Sequence, residues 1–115
     1  MNARTTLKLN KDFRRLYARG RSAVTPYLVL YCRRNRLGRN RTGFTVSAKL
    51  GNAVTRNRAR RRLREVCRLH DGALTQGWDL VVVARTRCVS APWSKLCAAY
   101  LRACGELGLL REEES

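Results

Sequence analysis

Between Lys49 and Arg68 the chain sets eight cationic side chains against one acid, Glu65. Seven of the eight are arginines: Arg56, Arg58, Arg60, Arg61, Arg62, Arg64 and Arg68. A guanidinium stays charged at any physiological pH, and its planar fork matches two phosphate oxygens at once. This stretch is therefore equipped to grip a polyanion rather than to move protons. Hydrolytic chemistry finds little here. Two-metal catalysis needs clustered carboxylates, and residues 1–72 contain only Asp12, Glu65 and Asp71. General acid–base hydrolysis by histidine has one candidate, His70, and no second histidine to pair with it. Five cysteines (Cys32, Cys67, Cys88, Cys97 and Cys104) form no Cys-x-x-Cys pair and sit in apolar stretches. They read as buried free thiols in a reducing compartment, not as metal ligands.

The same basic stretch keeps an apolar helical repeat at Ala59, Leu63, Val66 and Cys67. Advancing roughly 100° per residue from Ala59 puts Leu63, Val66 and His70 within about 40° of it. Asn57, Arg61, Arg64 and Arg68 fall near the opposite pole, flanked by Arg58, Arg60 and Glu65. Arg56 and Arg62 lie at the edge of the buried arc, where their stems can follow apolar surface while their heads reach out. The helix is predicted over about 53–69, entered through Lys49 to Asn52 and ended at Asp71-Gly72. Like charges at i, i+4 cost an isolated helix a few tenths of a kcal/mol each, a strain that a bound anion relieves.

Net charge is +17 over 115 residues, and all the excess lies in residues 1–72, which hold 20 Lys/Arg and 3 acids. Residues 73–115 are balanced, with 5 of each. That asymmetry points to nucleic acid. An anionic membrane fits less well, because the arginine helix lacks a bulky apolar face to insert into lipid. No apolar run approaches the roughly 20 residues that span a bilayer, and no signal-peptide pattern opens the chain. The expected location is the cytoplasm. With 44% hydrophobic residues the chain can build a core of its own, and its length suits one domain, 1–115. Residues 1–6 and the acidic tail 112–115 are expected to be flexible.

The positioning elements follow from pattern. Asn10 can cap a helix ending at Gly20, with Phe13, Leu16 and Tyr17 on one face. Tyr27-Leu-Val-Leu-Tyr-Cys32 reads as a strand, with Tyr31 and Val29 alternating against Leu28 and Leu30. Residues 33–41 read as a polar loop, and 43–48 as a second strand paired antiparallel with the first. Trp78 to Ala84 reads as a strand buried on both faces. A last helix starts near Ser90 and Pro92 and carries Leu96, Cys97, Tyr100, Leu101 and Cys104. The order indicates an α+β sandwich of one sheet and its helices.

At Lys49, Gly51-Asn-Ala-Val54 and Arg56-Asn-Arg58, followed by basic residues at 60, 61 and 64, the chain resembles the protein subunit of bacterial ribonuclease P. Asn10-Lys-Asp-Phe13, Tyr17, Tyr27-Leu-Val-Leu-Tyr31 and Trp78-Asp-Leu-Val-Val-Val-Ala-Arg85 fall in matching order, so the likeness covers roughly residues 7–107. Arg62 departs from it, since the family usually has an aliphatic residue there.

The resemblance implies an αβββαβα fold with one mixed sheet of about four strands and an extra short strand near Ser22 to Val24. It also implies a left-handed β-α-β crossover through the arginine helix, against the usual rule, with Gly51 helping the chain turn. It implies that Lys49, Asn52, Arg56, Asn57, Arg58, Arg60, Arg61 and Arg64 bind the catalytic RNA subunit. Phe13, Tyr17 and Tyr31 would hold the single-stranded 5′ leader of precursor tRNA, where bases of any sequence can stack on the rings; the sequence pattern by itself would make them core. The activity implied is endonucleolytic 5′ maturation of tRNA. The RNA subunit would hold Mg²⁺ and carry the catalysis, with no catalytic residue, metal or cofactor on the protein. The expected partners are that RNA and precursor tRNA, with no membrane and no obligatory protein partner. The alternative is a ribosomal or other structural RNA-binding protein, which size and charge fit equally well.

Overall fold

The computed structural model describes residues 5–6 and 10–112. In chain order the elements are β1 (Thr5–Thr6), α1 (Asn10–Arg19), β2 (Arg21–Val24), β3 (Leu28–Arg34), β4 (Arg41–Thr45), α2 (Ala53–His70), β5 (Trp78–Ala84) and α3 (Trp93–Glu106). Short 3-10 turns occupy Ala48–Leu50, Asp71–Ala73 and Thr86–Cys88. The strands form one mixed sheet in the order β1-β4-β5-β3-β2. Four strands of four to seven residues carry it, with the two-residue β1 at one edge. Residues 1–4 and 113–115 of the expected flexible ends lie outside the described residues. Thr5 and Thr6 pair in parallel with Arg41 and Thr42, taking hydrogen-bonding groups that β4 would otherwise leave open.

The expected hairpin between the strands near 27–32 and 43–48 does not form. β5 lies between them, antiparallel to β3 over seven pairs and parallel to β4 over five. The physical reason is burial. Leu80, Val81 and Val82 are covered on both faces, which only a central strand allows. The intervening loop passes the start of β5 and is pinned there by two asparagines. Asn35 donates its backbone N–H to Gly77 O at 2.9 Å. Asn40 donates through Nδ2 to Thr75 O and accepts the Trp78 N–H on Oδ1. The strand expected at 43–48 is also shifted, to Arg41–Thr45, because Ala48–Leu50 already turns toward α2.

Register decides the two faces. One carries Leu28, Leu30, Cys32, Leu80, Val82 and Ala84 against Ala59, Leu63, Val66 and Cys67 of α2 and Leu96, Tyr100, Ala103 and Cys104 of α3. The other carries Tyr31, Val81 and Val83 against Phe13 and Leu16 of α1. α2 therefore buries the arc its sequence defined. Cys32, Cys67, Cys88 and Cys104 are buried free thiols and Cys97 is half-buried. Burial pushes the Cys104 thiol up to about 12, against the opposing hydrogen bond with Tyr100.

The turn into α2 is built from the backbone outward. Gly51 sits at φ 135°, where side chains are strained, and a Cβ there would come within 3.3 Å of Thr55. Asn52 then caps α2, its Oδ1 accepting the Thr55 N–H at 2.9 Å. At the other flank Arg62 holds α2 to the segment that leads into α3. Its Nη1 donates to Cys88 O at 2.6 Å and Val89 O at 2.9 Å, and its Nη2 to Ala91 O at 2.5 Å. Its guanidinium also lies 5.8 Å from the centre of the Trp93 ring. The departure seen in the sequence thus has a structural role, because one side chain satisfies three carbonyls beyond the end of β5. Arg62→Ala should lower stability by about 2–4 kcal/mol, since charged hydrogen bonds vanish and partly buried carbonyls lose partners. Urea denaturation checks this; a change under about 0.5 kcal/mol would mean that water replaces the guanidinium at no cost.

Candidate nucleic-acid interface

α2 divides its charged side chains into three groups. The outermost arc holds Asn57, Arg58, Arg61 and Arg64, all exposed. Arg68 lies on this arc too, but it is tied to Glu65 by two hydrogen bonds of 2.8 Å, which raises its pKa. Lys49 and the cap Asn52 are exposed at the N-terminal turn. There the unpaired N–H groups of an 18-residue helix add positive potential. Asn52 thus combines a structural role with an exposed position.

The second group faces α1. Arg60 is half-buried and lines a cleft of about 590 Å³ together with Phe13, Arg14 and Tyr17 of α1 and Phe44, Thr45 and Val46 at the end of β4. Its Nη1 donates to Asn57 Oδ1 at 3.0 Å. The Arg64 guanidinium lies 5.8 Å from the Phe44 ring centre, on the same side. Arg56, one turn earlier, is half-buried with its Nε enclosed and without a hydrogen bond. The third group is Arg62, which is occupied as described.

In the cleft, Tyr17 is 41% exposed, so it is not a core residue. Its hydroxyl shares a 2.8 Å hydrogen bond with Thr45 Oγ1, spanning from α1 to β4. Tyr31 meets it edge-on, with ring centres 4.9 Å apart and planes at 78°. Phe13 is half-buried over Leu16 and Val81. The structure therefore brings Phe13 and Tyr17 into one recess and sets Tyr31 beside Tyr17, outside the cleft lining. It also adds Phe44 and Arg14, which the sequence reading did not single out. Phe44 gave a weak signal, an aromatic in a strand. Its role depends on β4 ending at Thr45, which the sequence misplaced.

Other chemistry is thin. Among the described residues no group of three or more His, Cys, Asp or Glu side chains is placed to hold a metal ion. His70 is half-buried, with Nδ1 2.9 Å from Val66 O. Among the described residues no helix is long and apolar enough to cross a membrane.

The sequence model of the family described as Ribonuclease P matches residues 1–108. The ribonuclease P protein component of Natranaerobius thermophilus is 42% identical over 112 residues, covering 97% of each chain. That of Alkaliphilus metalliredigens is 37% identical, covering 96% of this chain and 99% of its own. The structure is similar to the RNase P protein of Staphylococcus aureus (TM-score 0.81, 29% identity, covering 92% of this chain and 97% of that one). It is likewise similar to that of Thermotoga maritima (TM-score 0.79, 29% identity, 96% and 100%). With its fold, its arginine helix and these relatives in agreement, the chain belongs to the ribonuclease P protein family, as a protein component of that endoribonuclease.

Proposed function

We propose that this chain works by holding two RNAs on two faces that share α2. The exposed arc of Arg58, Arg61 and Arg64, with Asn57 and the turn carrying Lys49 and Asn52, grips the catalytic RNA. The cleft of Phe13, Tyr17 and Phe44 holds the single-stranded 5′ leader of precursor tRNA. The observation that carries this reading is a 41% exposed Tyr17 in a recess walled by Arg60, directly beside an exposed arginine arc. Stacking suits unpaired bases, whereas a comb of guanidinium groups suits the phosphates of folded RNA. Arg60, expected on the catalytic RNA, is better placed to neutralise leader phosphates, and Arg56 lies one turn before it. Tyr31 orients Tyr17 by its edge contact.

In the reaction one phosphodiester is hydrolysed and a 5′ phosphate remains on mature tRNA. Among the described residues no carboxylate cluster is placed for a metal ion; in this reading Mg²⁺ belongs with the RNA. The protein contributes leader affinity and lowers phosphate repulsion around the reacting group. The work would take place in the cytoplasm. The relatives do not favour the ribosomal alternative.

The purified chain with Mg²⁺ should leave precursor tRNA intact until the catalytic RNA is added. Gel analysis of the 5′ end checks this. Cleavage by the protein alone, surviving removal of RNA contaminants, would overturn the division of labour.

A further inference from the structure

A second recess, of about 460 Å³, lies on the same side of the sheet as α1 but at the other end of β4. Five arginines line it: Arg15 from α1, Arg33 and Arg34 at the end of β3, Arg36 in the following loop and Arg41 at the start of β4. It contains one acid, Asp79. Arg33, Asp79 and Arg41 face one another across three neighbouring strands, as the register requires.

The acid is already committed. Arg41 holds Asp79 bidentately, Nε to Oδ1 at 2.8 Å and Nη2 to Oδ2 at 2.6 Å. Asn35 Nδ2 donates to the same Oδ1 at 3.0 Å. This pairing raises the Arg41 pKa further. Among the described residues no acid pairs with Arg15, Arg33, Arg34 or Arg36. Arg34 rests 5.3 Å from the Trp78 ring centre, and Arg36 takes φ 64°, unusual for a side-chain-bearing residue. Arg34 follows Trp78 onto the opposite face from Arg33 and Asp79, so the recess carries three guanidinium groups, those of Arg15, Arg33 and Arg36, with no acid bound to them among the described residues. These groups cannot shed their protons to relieve mutual repulsion. A convex charged face would spread into water; a concave one focuses its field on whatever anion enters.

We propose that this arginine recess is a separate phosphodiester-binding site for RNA. It lies about 13 Å along β4 from the leader cleft, four residues of extended strand. Arg41–Asp79 is its rigid floor, and Arg15, Arg33 and Arg36 are the donors to phosphate oxygens. The phosphodiester comes from the distal leader or from the folded catalytic RNA; the chemistry that recognises it is the same. The inference rests on reading the chain as a ribonuclease P protein with RNA partners.

The test uses the full chain carrying Arg33→Gln and Arg36→Gln together, and Arg15→Gln alone as a second variant on an exposed helical position. Binding is measured against salt in two arms. One arm is the catalytic RNA alone; the other is the assembled complex with precursor tRNA bearing a short or a long leader. The double variant should lower the slope of log K against log salt by about 1–2 in one arm. It should weaken binding there about 10- to 100-fold. Loss confined to long-leader precursor assigns the site to the leader, and loss with catalytic RNA alone assigns it to that RNA. Unchanged slopes in both arms for both variants overturn the site. Arg61→Gln is measured alongside. If it lowers the slope while the recess variants do not, the recess fails and the ribonuclease P reading stands.

Discussion

Replacing Arg58, Arg61 and Arg64 by glutamine should weaken binding of the catalytic RNA about 1000-fold at moderate salt. The three residues span the exposed arc of α2, opposite Ala59, Leu63, Val66 and Cys67, so the core beneath is untouched. Each lost charge-assisted contact is expected to cost about 1.5 kcal/mol, close to a factor of ten in affinity. The salt slope should fall by about 2–3, one increment per phosphate released. Stability should stay within about 1 kcal/mol of the parent, because relief of like charges three and four residues apart offsets the lost contact of Arg64 with the Phe44 ring. Filter binding across a salt series checks both quantities. An affinity within twofold of the parent would mean that the RNA meets another face.

Tyr17→Ala has the second-largest expected effect. Loss of one stacked base costs about 1–3 kcal/mol, or roughly 5- to 150-fold in affinity for precursor tRNA in the assembled complex. Mature tRNA lacks a leader, so its affinity should not change. Tyr17→Phe keeps the ring and deletes only the hydrogen bond to Thr45, and should bind precursor within a few-fold of the parent. Phe13→Ala should move in the same direction, with an added stability loss because Phe13 also covers Leu16 and Val81. Parallel loss for precursor and mature tRNA would point to a folding defect, not a leader cleft.

The helical elements were legible because their signal is local. Ala59, Leu63, Val66 and Cys67 recur at helical spacing, and the structure buries all four. Phe13 and Tyr17 share a face for the same reason and meet in one cleft. Strand order was not legible. A six-residue connection between Arg34 and Arg41 suggested a hairpin, whereas the side-chain bonds of Asn35 and Asn40 carry it past the start of β5. No local pattern announces such pairings, which join residues more than thirty positions apart. The role of Arg62 was hidden likewise, since its three carbonyl partners lie 26 to 29 residues away. Arg33 and Arg41 read as parts of a polar loop, because only the register sets them on either side of Asp79.

Two faces on one helix make a spatial claim, and photo-crosslinking of the assembled complex tests it most directly. Precursor tRNA carrying 4-thiouridine in its leader should crosslink to peptides holding Phe13, Tyr17 and Phe44. The same probe placed in the catalytic RNA should label the outer arc around Arg58 and Arg61. Leader crosslinks concentrated on that arc, with the cleft unlabelled, would contradict the account.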